Sequence, residues 1–264
     1  MKNILIIGAN GFTGRRILND LSVNPIYHVT GCSLRDDICP GKDYRFVRTD
    51  IRDENEVRKL FKECRPDIVI NTSALSVPDY CETHHAEAEA TNVTAVETIA
   101  HVCEQYGSRF IHLSTDFVFD GKSTRLYKEE DEAIPVNYYG VTKLKAEKII
   151  ASICSNYAIV RVVVVYGKAL PGQHGNILQL VANRLRNGET IRVVSDQWRT
   201  PTFVGDISVG VEKLMFHTAN GIYHICGSEC LTIAEIAYRV ADFLKLDRSL
   251  IEPVTTEEMK EVTP

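Results

Sequence analysis

Lys2-Asn3-Ile4-Leu5-Ile6-Ile7-Gly8-Ala9-Asn10-Gly11-Phe12-Thr13-Gly14 is the stretch whose reading decides the fold. The apolar run from Ile4 to Ile7 reads as a first β-strand, and glycines at a GxxGxxG spacing lead into a helical period from about Thr13 to Leu21. Between a strand and a helix each glycine has its own task. Gly8 permits the tight turn, Gly11 lets the backbone approach a pyrophosphate, and Gly14 allows close packing of helix on strand. The helix start attracts negative charge through its unpaired N–H groups. Gly8, Asn10, Gly11, Phe12 and Gly14 are therefore the first candidate cofactor contacts.

Working outward, short β-branched runs alternate with longer helical periods, the pattern of βαβ units and a parallel sheet. Strands are expected at Ile4 to Ile7, Tyr27 to Gly31, Arg45 to Val47, Ile68 to Asn71, Phe110 to Leu113 and Ala158 to Val164. Helices are expected at about Thr13 to Leu21, Glu54 to Lys62, Ala86 to Tyr106 and Tyr138 to Ser152. The fold class is α/β, a doubly wound parallel sheet of Rossmann type with a smaller, interleaved C-terminal domain. Residues 1–165 are the expected dinucleotide-binding Rossmann domain, with a returning helix and strand at about 204–225; residues 166–264 are the expected smaller, interleaved substrate-binding domain. Within the latter a helix near Ile177 to Asn187 and a strand at Thr190 to Val194 are expected, then a charged tail from Thr255 to Pro264.

The 264 residues suffice for a sizeable core, and no segment is long and apolar enough to span a bilayer. The start is too short and too glycine-rich for a signal peptide, so a cytoplasmic protein without a membrane partner is expected. Eight scattered cysteines lack paired CxxC spacing, which points to reduced thiols and no metal site. A formal net charge of −5 speaks against nucleic acid as a partner, while a locally basic pocket still admits an anionic small molecule.

An acidic residue at the end of the second strand accepts hydrogen bonds from a free ribose and repels a 2′-phosphate. Here Gly31-Cys32-Ser33-Leu34-Arg35 carries no carboxylate, and Ser33 with Arg35 suits a phosphate, although Asp36 and Asp37 follow. NADPH/NADP is favoured over NAD. Asp50 after the third strand is a candidate for the adenine amino group, with Ile51 beside the ring. Ser73 and Ala74 end the fourth strand, where such a sheet binds its ligand.

Tyr139-Gly140-Val141-Thr142-Lys143 sets a phenol and an amine four residues apart, on one face of a helix. Leu113-Ser114-Thr115-Asp116 ends the preceding strand and brings a hydroxyl to the same sheet edge. This set suits hydride delivery to a ketone, because the developing alkoxide must be protonated as the hydride arrives. Tyr139 is the candidate acid, Lys143 the cation that supports its phenolate and holds the nicotinamide ribose, and Thr115 the donor to the carbonyl oxygen.

These motifs, GANGFTG, PDIVIN at the fourth strand, LSTDFVFDG and YGVTKLKAE, resemble those of the extended short-chain dehydrogenases/reductases. STDFVFDG, Tyr127, Glu130, Pro135 and YGVTKLKAE, continuing through Asp196-Gln197 and Pro201-Thr202 to Asp206, resemble the dTDP-4-dehydrorhamnose reductases over almost the whole chain. The resemblance implies an NADP-dependent oxidoreductase with a Thr115, Tyr139 and Lys143 triad. Its implied substrate is a nucleotide-linked 4-keto-6-deoxy sugar reduced at C4, and Thr115, Asp116, Val164 and Arg199 are the candidate substrate contacts. Val164 stands where those reductases carry tryptophan, Pro78-Asp79-Tyr80-Cys81-Glu82 replaces their VDKAE, and the chain stops at Pro264 where they continue. The second and sixth strands, PDYCE and GCSLR are more similar to the regulatory β subunits of methionine adenosyltransferase, which implies an NADP-binding partner protein as the alternative. A sugar-nucleotide dehydratase is disfavoured, since Asp116 is followed by Phe117 and not by a second acid.

Arg161, Lys168, Arg192 and Arg199 are further candidates for a diphosphate, with Trp198 beside Arg199 able to stack on a base. His84-His85 point apart on a helix, and the acidic run Glu129 to Glu132 reads as a solvated loop. Asn92, inside a long helix, either binds a relay water or caps a local turn. The helices near Ala86 to Tyr106 and Tyr138 to Ser152 suit pairing into a homodimer, and a monomer is equally consistent.

Overall fold

Apolar strands covered on both faces run almost without polar interruption, and β1 (Lys2–Ile7) begins such a sheet with Ile4 to Ile7 all buried. A computed structural model of the protein describes residues 1–41, 43–173 and 175–260; the last four residues of the expected tail lie outside them. After β1 come α1 (Phe12–Ser22), β2 (Tyr27–Ser33), β3 (Arg45–Arg48), α2 (Glu54–Cys64) and β4 (Ile68–Asn71). Then follow α3 (Pro78–Thr83), α4 (His85–Glu89), a π-helical turn (Ala90–Thr94), α5 (Ala95–Tyr106), β5 (Arg109–Thr115), a short turn of 3₁₀ helix (Asp116–Val118), α6 (Tyr138–Ile153) and β6 (Tyr157–Val162).

The second half runs β7 (Val165–Tyr166), α7 (Ile177–Arg186), β8 (Ile191–Val194), β9 (Trp198–Arg199), β10 (Thr202–Phe203), α8 (Val204–Phe216) and β11 (Gly221–Ile225). It closes with β12 (Leu231–Thr232), α9 (Ile233–Leu244), β13 (Ile251–Val254) and α10 (Thr256–Lys260).

Seven strands form one sheet in the order β11-β6-β5-β4-β1-β2-β3, and every pairing within it is parallel. The chain builds outward from β1 through β2 to β3 and then restarts on the other side with β4. That reversal makes a crevice beyond the carboxyl ends of β1 and β4, the place where open α/β sheets hold ligands. All strands being parallel, Gly8, Ser73 and Thr115 sit at one edge. Leu5, Ile7 and Val69 pack with Val57, Leu60 and Phe61 of α2, Val96, Ile99 and Ala100 of α5, and Ala146 and Ile150 of α6.

The chain divides into two compact units. The first comprises Met1–Val162 and Gly205–Ile225, and contains the whole seven-stranded sheet. The second comprises Val163–Val204 and the chain from Cys226 onward. There α7 and α9 pack Val181, Leu185, Ala234, Ala237 and Ala241 against Ile191 and Val193 of β8 and Ile251 of β13. Capping boxes fix both helix starts, Asn176 with Gln179 and Thr232 with Glu235.

Two elements differ from the sequence expectation. The helix expected from Ala86 to Tyr106 carries the π turn, whose extra residue turns Asn92 inward. The strand expected to reach Val164 stops at Val162, because Val164 is left-handed at φ 38, which a β-branched residue rarely adopts. No helix among the described residues is long and apolar enough to cross a membrane.

Candidate active site

Gly8 turns the chain at φ 81, and a Cβ added there would lie 2.7 Å from Ser73 N. The turn is tied by Gly8 N–H to Cys32 O at 3.0 Å and by Gly11 N–H to Gly8 O at 2.8 Å. Phe12 opens α1; Gly11 precedes it as N-cap without a side-chain cap, and the first turn has no acidic residue. With Gly14 behind it, this positively polarised helix start beside a turn bounded by two glycines fits a pyrophosphate.

Asn10 Nδ2 donates to Arg35 O at 3.2 Å and Asp36 O at 2.8 Å, pinning the loop after β2. Arg15 completes the clamp from α1, 2% exposed, donating to Asn10 Oδ1 at 2.8 Å, Asp37 Oδ1 at 2.5 Å and Tyr44 Oη at 2.9 Å. Sequence reasoning passed over Arg15, although its place three residues before Leu18 on the helix's inner stripe is a usable signal. Burial would raise the Asp37 carboxyl, but hydrogen bonds from Cys39 N–H, Tyr44 and Arg15 and the Arg15 charge hold it below its usual range. Ser33 ends β2, half-buried, and Arg35 follows, exposed.

Asp50 is held bidentately by Arg52, at 2.9 and 2.7 Å, while Ile51 packs into the core. Ser73 donates from N at 3.0 Å and from Oγ at 2.6 Å to Asn71 Oδ1, and Ala74 packs against the cluster of Cys81, Ala88 and Tyr139.

Tyr139, Lys143 and Glu147 occupy one stripe of α6, 8%, 1% and 3% exposed. Asn137 caps this helix by accepting from Gly140 N at 2.7 Å. Gly140, also overlooked in the sequence, lets the helix start press on the turn after β5: a Cβ there would meet Phe117 O at 2.1 Å. A glycine inside a helix costs about 1 kcal/mol and so signals such a packing demand.

Burial, aided by the Asp116 charge, pushes the Tyr139 pKa up from the usual tyrosine range, against a smaller lowering by the Thr115 side chain. Thr115 Oγ1 donates to Asp116 Oδ1 at 3.2 Å. Lys143 Nζ lies 2.7 Å from Leu113 O and 2.9 Å from His112 Nε2, and burial, partly offset by Glu147, brings its pKa down to about 8. No hydrogen bond joins Tyr139 to Lys143 among the described residues, so the expected lowering of the phenol by Lys143 is not present in this arrangement. Ser114 and Arg161 both hold Glu147, at 2.5 and 2.6 Å, in a buried ion pair.

Asn92 spends its amide within the protein. Its Oδ1 accepts from Leu75 N at 2.8 Å, and its Nδ2 donates to Leu75 O and Thr142 Oγ1, both at 3.0 Å. In the second unit Val164 O accepts from Thr202 N at 3.2 Å, and Arg199 donates to Trp198 O and Gln197 Oε1, both at 3.0 Å. All eight cysteines are free thiols, and no group of three potential metal ligands occurs among the described residues.

The RmlD substrate binding domain family matches residues 1–263. The crystal structure of dTDP-4-dehydrorhamnose reductase from Bacillus anthracis in complex with NADP is 27% identical, with TM-score 0.85, covering 98% of this chain and 86% of that one. The probable low-salt glycan biosynthesis reductase Agl14 of Haloferax volcanii is 31% identical over 94% of this chain and 82% of its own length. Methionine adenosyltransferase 2 subunit beta of Xenopus laevis is likewise 31% identical, over 97% of this chain and 76% of its own. With a parallel sheet of this order, a glycine turn at its switch point and a match along nearly its whole length, the chain belongs to the RmlD substrate binding domain family of extended short-chain dehydrogenases/reductases.

Proposed function

We propose that this protein is an NADPH-dependent reductase of a nucleotide-linked 4-keto-6-deoxy sugar, acting as the dTDP-4-dehydrorhamnose reductases do. The observation that carries the reading is Tyr139 on the buried face of α6, with Thr115 ending β5 at the edge where Gly8 and Ser73 also lie. NADPH, when bound, supplies the hydride. Gly8, Gly11, Phe12 and Gly14 take the pyrophosphate, Ser33 and Arg35 the 2′-phosphate, and Ser73 and Ala74 border the dinucleotide. Asp37 does not oppose the phosphate, because Arg15 and Tyr44 already compensate its charge. Asp50 and Ile51 stand by the adenine, with the Asp50 carboxylate shared with Arg52.

Thr115 steadies the carbonyl oxygen and Tyr139 Oη gives its proton to the alkoxide that forms there. A raised phenol pKa keeps that proton on Tyr139 until the alkoxide, a far stronger base, appears. Lys143 holds the ribose. Asp116 contributes to recognition of the sugar nucleotide from the first unit; Val164 and Arg199 are candidate contacts that the second unit carries by itself.

A second reading, an NADP-binding regulatory subunit, is favoured by the 31% identity to methionine adenosyltransferase 2 subunit beta. The test is NADPH oxidation followed at 340 nm with dTDP-4-keto-6-deoxy sugars, alongside a pull-down with methionine adenosyltransferase. Turnover that vanishes in Tyr139→Phe while NADPH affinity persists supports the reductase. Equal activity in that variant removes the mechanism, and a stable complex without turnover supports the regulator.

A further inference from the structure

A 2′-phosphate at the end of β2 is drawn by Arg35 and repelled by a free carboxylate, and the same loop carries two carboxylates, Asp36 and Asp37. Asp36 is exposed, where water and salt screen its charge. The Asp37 side chain is only 11% exposed, and both of its oxygens are engaged. Oδ1 accepts from Arg15 Nη2 at 2.5 Å and from Cys39 N at 3.1 Å, and Oδ2 accepts from Tyr44 Oη at 2.8 Å. Burial opposes the charge, but these bonds and the Arg15 charge keep the carboxyl ionised.

The partner sits where stability alone would not put it. Arg15 follows Gly14 in the first turn of α1 with its side chain 3% exposed, so a cation is taken out of water and set at the positive end of a helix. Both terminal nitrogens turn to the protein: Nη1 donates to Tyr44 Oη at 2.9 Å and to Cys39 O at 3.3 Å, and Nη2 donates to Asn10 Oδ1 at 2.8 Å as well as to Asp37. A guanidinium only donates, so Asn10 must present its oxygen to Arg15, and the Ile38 N–H, 3.2 Å from the same oxygen, agrees. The Asn10 amide hydrogens are thereby directed at Arg35 O and Asp36 O, which holds the loop with Asp37 against α1. A site for NAD asks for a free carboxylate here to accept from the ribose hydroxyls, and Asp37 is committed elsewhere.

We propose that Arg15 is a specificity-determining residue for the cofactor, acting through Asp37: by binding that carboxylate inside the loop it prevents both repulsion of a 2′-phosphate and capture of an unphosphorylated ribose, and so sets a preference for NADPH over NADH. It is a positioning residue, because its fork is spent on the protein. The inference deepens the placing of the 2′-phosphate at Ser33 and Arg35 and rests on it.

The deciding measurement is the affinity for NADPH and for NADH, by fluorescence titration without any sugar, in the wild type, Arg15→Met and the double variant Arg15→Met/Asp37→Asn. The wild type should prefer NADPH. In Arg15→Met the released carboxylate should weaken NADPH binding by about tenfold or more and leave NADH binding equal or tighter. Removing that carboxylate in the double variant should restore the preference, which a merely structural role for Arg15 would not allow. Arg15→Gln, which loses the charge and keeps hydrogen-bonding atoms, carries the same expectation if Arg15→Met does not fold. A wild type without preference for NADPH, an equal loss of both dinucleotides in the single variant, or a double variant that stays impaired overturns the proposal. Arg35→Ala tests the phosphate placement separately. Unchanged NADPH affinity there removes the placement and the proposal together, whereas a loss there beside an unchanged ratio in Arg15→Met overturns the proposal alone.

Discussion

At the scale of single residues, Lys143 shows how far this site departs from what stability alone would favour. Burial brings its folded-state pKa to about 8 against 10.5 for a free lysine. Between those values the unfolded chain keeps a proton that the folded chain has released, so stability rises with pH across that window. Below it the buried charge is a standing cost, about 3 kcal/mol at one pKa unit per 1.4 kcal/mol. Lys143→Met, which keeps the chain length and loses the charge, should therefore unfold at higher urea concentration than the wild type at pH 7. The gap should narrow towards pH 10 as the wild type loses its penalty. A destabilised Lys143→Met at pH 7 would show that the bonds to Leu113 O and His112 outweigh the burial cost.

At the scale of elements, α6 is placed by what one glycine omits. Gly140→Ala would drive a methyl to within 2.1 Å of Phe117 O, forcing the helix start away from the turn after β5. Overpacking of this kind costs about 1 to 3 kcal/mol, and it should separate Tyr139 from Thr115 as well. Chemical denaturation should record that loss of stability, and NADPH turnover should fall with it; full activity would deny Gly140 this role. The spacing of Tyr139 and Lys143 and the GxxGxxG turn were legible because they depend on helix period and on a local turn. Arg15 and His112 were not, since a buried polar side chain is explained only by the partners that tertiary structure brings to it. The π turn was hidden for the same reason: nothing within Ala90–Thr94 announces that Leu75 and Thr142 await Asn92 from distant parts of the chain.

At the scale of the whole molecule, the sheet is assembled out of sequence order. Its outermost strand, β11, pairs with β6 only after the chain has left for residues 163–204 of the second unit and come back. A ribosome that has released residue 162 has delivered six of the seven strands, but the open rim of Tyr157-Ala158-Ile159-Val160-Arg161-Val162 has no neighbour yet. Bare, apolar rims of this kind recruit other chains. A fragment ending at residue 162 should therefore self-associate in light scattering. The same fragment with residues 205–225 appended through a flexible linker should stay monomeric, and a monomeric short fragment would contradict this account. Nascent chains of this protein then pass through an interval of vulnerability whose length is set by the speed of translation.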